Sequence, residues 1–84
     1  MRMLDLNFKG RLIGLVDFDD VNVDQRALEF TDPAIPVFGS HVAVVIPDEG
    51  SWLDAVVRIN PDVSEVPVDF LVWVVEKARE IVHE

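Results

Sequence analysis

The chain has 84 residues, half of them hydrophobic, with a formal net charge of −9 and no cysteine. The absence of cysteine excludes a disulfide framework, a thiolate nucleophile and cysteine-bound metal. The acidic excess argues against direct binding to nucleic acid, which needs a basic footprint. The length predicts one domain over residues 1–84 with a small core, stabilised by packing or by oligomerisation.

The sequence shows no targeting or membrane segment. Residues 1–8 alternate apolar and polar side chains, unlike the charged and then apolar regions of a signal peptide. The longest unbroken apolar run covers residues 70–75, far fewer than the roughly 20 residues that a membrane span needs. We therefore expect a cytoplasmic protein with no membrane partner.

Acidic side chains are concentrated in two stretches. Residues 17–32 and residues 47–69 each carry a net charge of −5, whereas residues 33–46 carry none with His41 neutral. Such surfaces would attract a basic protein. The same charge could instead serve solubility or reflect a source with acidic proteins, and both explanations stay open.

The first two predicted strands form a hairpin. Residues 1–8 and residues 11–18 each alternate in hydrophobicity, and Lys9-Gly10 between them is a plausible two-residue turn. Gly14 inside the second strand suggests a bulge or a close backbone approach.

The next part of the chain is less regular. Residues 19–24 are acidic and predict an edge strand or a loop, and residues 25–31 predict another strand. Pro33 and Pro36 disfavour both helix and central strand, so residues 32–36 should be irregular.

Residues 41–60 predict the second hairpin. Residues 42–46 are mostly β-branched, which favours a strand, and Pro47 should end it or lie at its edge. Residues 51–60 can be read in two ways. As a helix, Ser51 would be the N-cap with Asp54 in capping-box position. As a strand, the β-branched side chains of residues 56–59 fit better, and we favour the strand.

Residues 70–83 predict a C-terminal helix. Pro67 and Asp69 suit its first turn. Its main apolar stripe has the spacing i, i+4, i+7, i+11 and consists of Leu71, Val75, Ala78 and Val82, with Phe70, Val74 and Ile81 beside it. The alternative is a buried strand over residues 68–75.

The predicted fold is therefore α+β. A small, mostly antiparallel sheet of about four or five strands in two hairpins would have one C-terminal helix packed on it. A small five-stranded barrel with an added helix is the alternative.

Motifs for catalysis and metal binding are weak. Asp20, Asn22 and Asp24 match the first positions of a calcium loop, but Gln25 and Thr31 stand where that loop needs glycine and glutamate. A zinc site would need both histidines plus carboxylates. No nucleophile elbow surrounds Ser40, Ser51 or Ser64, and no phosphate-binding glycine loop exists. We expect no catalytic residue, no metal and no cofactor.

The tryptophans indicate where a partner could bind. In the strand interpretation Trp52 lies on a polar face near Asp48, Glu49 and Asp54, which resembles the anchor of a protein-binding patch. Trp73 lies in a helical segment that is apolar nearly all round, typical of a buried helix or one that meets another chain. These five residues are the predicted partner-binding set.

The leading functional hypothesis is a non-enzymatic acidic protein-binding module, such as an inhibitor, an immunity or antitoxin-like protein, or an accessory subunit, with a basic protein as one candidate partner. One alternative is a homo-oligomeric structural subunit whose helix or sheet edge is buried between copies. The other is a small-molecule binder or enzyme, which would need a concave pocket.

Overall fold

Five antiparallel strands form one open sheet whose order follows the chain, and one helix packs on one of its faces. The computed structural model describes residues 1–83. The elements are β1 (Arg2–Phe8), β2 (Arg11–Asp20), β3 (Gln25–Thr31), β4 (Val42–Pro47), a short 3-10 helix (Trp52–Asp54), β5 (Val56–Ile59) and α1 (Val68–Val82). The predicted α+β sheet-and-helix fold is confirmed. Because β1 and β5 are the two outer edges of an open sheet, the barrel alternative is wrong.

The β1–β2 hairpin closes through the predicted two-residue turn. Lys9 and Gly10 both have positive φ, 51° and 81°, the backbone geometry that matches the right-handed twist of the flanking strands. Gly14 is paired in register with Asp5 and Thr31, so the expected bulge is absent. A methyl group at Gly14 would lie 4.0 Å from the Thr31 Cβ, an ordinary contact.

The acidic residues 19–24 are divided between a strand and a turn. Asp19 and Asp20 extend β2 and pair with Arg26 and Gln25 of β3. Residues 21–24 form the turn itself, where Asp24 has a φ of 47°, a conformation that aspartate tolerates better than most side chains. The predicted strand over residues 25–31 is confirmed as β3.

Each interpretation of residues 51–60 is right for part of the segment. The Ser51 hydroxyl accepts from the Leu53 amide at 3.2 Å and the Asp54 carboxylate accepts from the Ser51 amide at 2.9 Å, which completes a capping box. That box starts only one 3-10 turn, because the β-branched residues that follow enter β5 and pair antiparallel with β4. The predicted hairpin exists, with the 3-10 turn inside its connection.

The predicted helix is confirmed as α1, with Pro67 as its N-cap residue. Its buried face is rotated relative to the predicted stripe. The fully buried side chains are Phe70, Val74, Ala78 and Ile81, whereas Leu71, Val75 and Val82 are half-buried at the margin. The core lies between this face and one face of the sheet, formed by Phe8, Ile13, Leu15, Leu28, Phe30, Val42, Val44 and Ile46. No helix within residues 1–83 is long and apolar enough to cross a membrane.

Candidate functional site

Trp73 packs against the core and does not lie on an exposed helix face. It is half-buried, and its ring centroid is 5.0 Å from that of Phe8, 6.2 Å from Phe30 and 6.1 Å from Phe70. This aromatic cluster joins α1 to strands β1 and β3. Only part of the Trp73 ring is therefore left for a partner.

The other four predicted partner-binding residues lie together in the connection between β4 and β5. Asp48 and Glu49 are exposed in the turn after β4. Asp54 is exposed as well, although its carboxylate already accepts the hydrogen bond of the capping box. Trp52 is half-buried against the core, with its ring 6.3 Å from that of His83. Three exposed carboxylates and a partly accessible tryptophan thus share one connecting segment.

The fold brings one part of each acidic stretch of the sequence together at one end of the sheet. The Asp48 amide donates to the Asp24 carbonyl oxygen at 3.0 Å, so the turn after β4 lies against the β2–β3 turn. We call four carboxylates the acidic pole: Asp20 at the end of β2, and Asp24, Asp48 and Glu49 in these two turns. Two exposed apolar side chains of the β2–β3 turn stand beside it, Val21 and Val23. Within residues 1–83, no three histidine or acidic side chains are grouped closely enough to hold a metal ion.

Two clusters of ion pairs hold aspartates at opposite ends of the sheet. Arg26 binds Asp17 through two hydrogen bonds of 3.0 and 2.8 Å, and Arg2 adds a contact of 3.4 Å. Arg11 binds Asp32 in the same two-pronged way, at 3.1 and 2.8 Å. In each case the arginine hydrogen bonds are the main reason that the pKa of the aspartate lies below its ordinary value. Both carboxylates are therefore anchored as anions in the folded protein.

Asp32 and His41 brace the loop between β3 and β4 from the inside. Both are buried, at 2% and 1% exposure. The Asp32 amide donates to His41 Nδ1 at 3.0 Å, and an Asp32 carboxylate oxygen accepts from the Ala34 amide at 2.9 Å. Because Nδ1 is an acceptor, Nε2 carries the proton of the neutral ring and donates to the Val37 carbonyl at 2.7 Å. The two ends and the middle of the loop are thus tied together.

The braced loop presents a fully exposed aromatic side chain. Phe38 is 100% exposed, more than any other large hydrophobic residue in the described part of the chain. It follows Val37, whose carbonyl is bound by His41, and precedes Gly39, whose φ of 93° suits glycine. On the other side, the Asn60 amide group donates to the Ser40 carbonyl at 2.9 Å. The backbone on both sides of Phe38 is therefore held in place, whereas its side chain is fully exposed.

Among the described residues, no helix lies over the face of the sheet opposite α1. We call it the outer face. Its central rows run across the strands as Met3-Val16-Glu29-Ala43-Arg58 and Phe18-Ala27-Val45-Val56. Ala27 and Val45 lie at the bottom of a shallow groove of about 430 Å³. A second groove, bordered by Phe38, shares Glu29, Ser40 and His41 with the first. The outer face and the Phe38 loop are thus continuous.

Sequence reasoning missed Phe38 as a candidate and selected two tryptophans that are half-buried. A signal was present, because Phe38 stands in an irregular segment after two prolines and before a glycine, where an aromatic side chain has no regular element to pack it inward.

No protein-family model, curated protein or solved structure matches this chain. Its function is inferred from its own geometry.

Proposed function

We propose that this protein is a non-enzymatic binding module that docks onto another protein through Phe38. The observation that supports this most directly is the combination of full exposure of Phe38 with internal bracing of its loop by Asp32 and His41. Aromatic side chains near the centre of an interface are frequent hot spots of protein association. Burying one such ring contributes about 1.5–3 kcal/mol.

The bracing matters because association has an entropic cost. A loop that must become ordered on binding loses part of the interaction energy in that step, whereas a loop already held in place does not. Here the two buried side chains make five hydrogen bonds to the loop backbone and Arg11. The loop backbone that carries Phe38 is therefore preorganised for binding.

The acidic pole supplies a second property of the module. It lies at the far end of β4 from the Phe38 loop, about 20 Å away for a strand of this length. At that distance it would act mainly by attracting a basic partner and raising the rate of encounter. An inhibitor, immunity or antitoxin-like role, or that of an accessory subunit, is consistent with such a surface.

Site-specific photocrosslinking tests the proposal. The photoreactive amino acid p-benzoylphenylalanine is placed at position 38 and, as the matched control, at Leu53, which is 94% exposed in the 3-10 turn. We expect a discrete crosslinked species at position 38 in cells of the source, lost when unlabelled wild-type protein competes but retained when Phe38→Ser protein competes. Equal crosslinking at both positions, or equal competition by both proteins, would refute Phe38 as the anchor.

A further inference from the structure

We propose that the outer face is a self-association surface, on which a second copy of this chain packs about a two-fold axis parallel to β4. This inference does not depend on Phe38. Within the strands that this axis would overlap, β3 to β5, the outer face exposes the apolar side chain of Val56, at 50%, and beyond them it exposes Met3 and Leu12, at 69% and 60%. Exposed apolar area of this kind on one side of a sheet is typical of a face that packs against something else.

The charges of the outer face indicate that its partner is a second copy of this chain. Glu29 of β3 and Arg58 of β5 lie on the same cross-strand row, one on each side of Ala43 in β4. Two strand spacings separate them, about 10 Å. Among the described residues no ion pair joins either of them to another side chain. Each is thus a charge without an opposite charge beside it, and the two are symmetric about β4.

A two-fold axis along β4 pairs these charges across the interface. It exchanges β3 with β5, so Glu29 of each copy lies opposite Arg58 of the other and Ala43 meets Ala43 on the axis. In the next row the same axis places the small Ala27 of one copy opposite Val56 of the other. The branched Val56 side chain would then enter the groove above Ala27. An axis across the strands would instead place Glu29 against Glu29. Only the first arrangement is complementary in both charge and size.

This arrangement is also one that sheets adopt. Two sheets packed face to face lie about 10 Å apart with strand directions within about 30° of each other, which an axis along β4 allows. The same axis brings both acidic poles to one end of the dimer, where their repulsion opposes association. Measurements are therefore best made at about 0.15 M salt, at which the Debye length is about 8 Å.

Charge reversal with mixing tests the geometry. We expect the wild type to be a dimer by sedimentation equilibrium, and Glu29→Arg or Arg58→Glu to raise the dimer Kd by about 100-fold, because each creates two like-charge contacts. An equimolar mixture of the two variants should recover a dimer, since every contact in the mixed pair is again between opposite charges. The double variant E29R/R58E should dimerise alone and also shows that both changes are compatible with the fold.

Two control variants change the net charge by the same amount as the test variants, but at positions away from the Glu29–Arg58 contact. Asp5→Arg lies on the outer face in β1, outside the strands that overlap, and Arg79→Glu lies on the exposed side of α1. Both should leave the dimer Kd within about threefold. A monomeric wild type, single variants that dimerise as well as the wild type, or a mixture that stays monomeric would each overturn the proposal. Far-UV circular dichroism of every variant separates loss of association from loss of folding.

Discussion

Replacing His41 tests whether the Phe38 loop is held by buried hydrogen bonds. In His41→Phe a ring of similar shape remains, but the Asp32 amide loses its acceptor and the Val37 carbonyl loses its donor. Each buried group left without a partner costs about 1–3 kcal/mol, so we expect a loss of about 3–4 kcal/mol. For a chain of 84 residues the total free energy of unfolding is about 4–13 kcal/mol. The variant should thus lose at least about a quarter of the wild-type free energy of unfolding.

Two further substitutions separate the contributions of the two hydrogen bonds that His41→Phe removes. His41→Asn can keep an acceptor near the Nδ1 position, and His41→Gln can keep a donor near the Nε2 position. Each should cost roughly half as much as His41→Phe. The matched control is His83→Phe, since that histidine is exposed at the end of α1, and it should change stability by less than about 0.5 kcal/mol.

Urea unfolding gives the free energies, and hydrogen exchange of the Asp32 amide reports the local contact directly. We expect that amide to exchange faster in His41→Phe and in His41→Gln, where its acceptor is missing, than in the wild type. An unfolding free energy within about 0.5 kcal/mol of the wild type, together with unchanged exchange at Asp32, would refute the bracing role of His41.

Three other predictions concern the core, acid stability and the acidic pole. Trp73→Ala should lower the free energy of unfolding by about 3–5 kcal/mol in urea titrations, because it empties the aromatic cluster, whereas Phe38→Ala should change it by less than about 0.5 kcal/mol. The Asp17 carboxylate has a folded-state pKa below its ordinary 3.8, so its stabilisation is complete above that pH and is lost as pH falls through the lower folded value. Asp17→Asn should therefore be less stable than the wild type at pH 7, and thermal unfolding scans should show the difference shrinking at low pH. Reversing both Asp48 and Glu49 to lysine should slow association with a basic partner in surface plasmon resonance, without changing the fold seen by circular dichroism.

The strands and the helix could be predicted because their signals are local. Alternation in β1 and β2, a Lys9-Gly10 turn and a helical apolar period each depend on neighbouring residues. The rotation of α1 could not be predicted this way. Leu71 and Phe70 are adjacent on the helix, and which of them is central depends on the sheet residues opposite, above all Phe8 and Phe30.

The candidate site depended on contacts between distant parts of the chain. The sequence shows two acidic stretches, but their union at one end of the sheet needs the hydrogen bond between Asp48 and Asp24. Equally, the exposure of Phe38 follows from Asp32 and His41 turning inward, nine residues apart, to bind each other. Neither fact has a local sequence signature, whereas the capping box of Ser51 and Asp54, which is local, could be recognised.

The sequential strand order also bears on how the chain folds. Every strand pairs only with its neighbours in the chain, so the sheet can assemble one hairpin at a time, with short loops to close and correspondingly fast kinetics. The helix follows all five strands in the chain, and its buried face covers the centre of the core face. Until α1 docks, Phe30, Val44 and their neighbours are exposed on one side and the outer face on the other. The most aggregation-prone moment of folding is therefore the interval between completion of β5 and docking of α1.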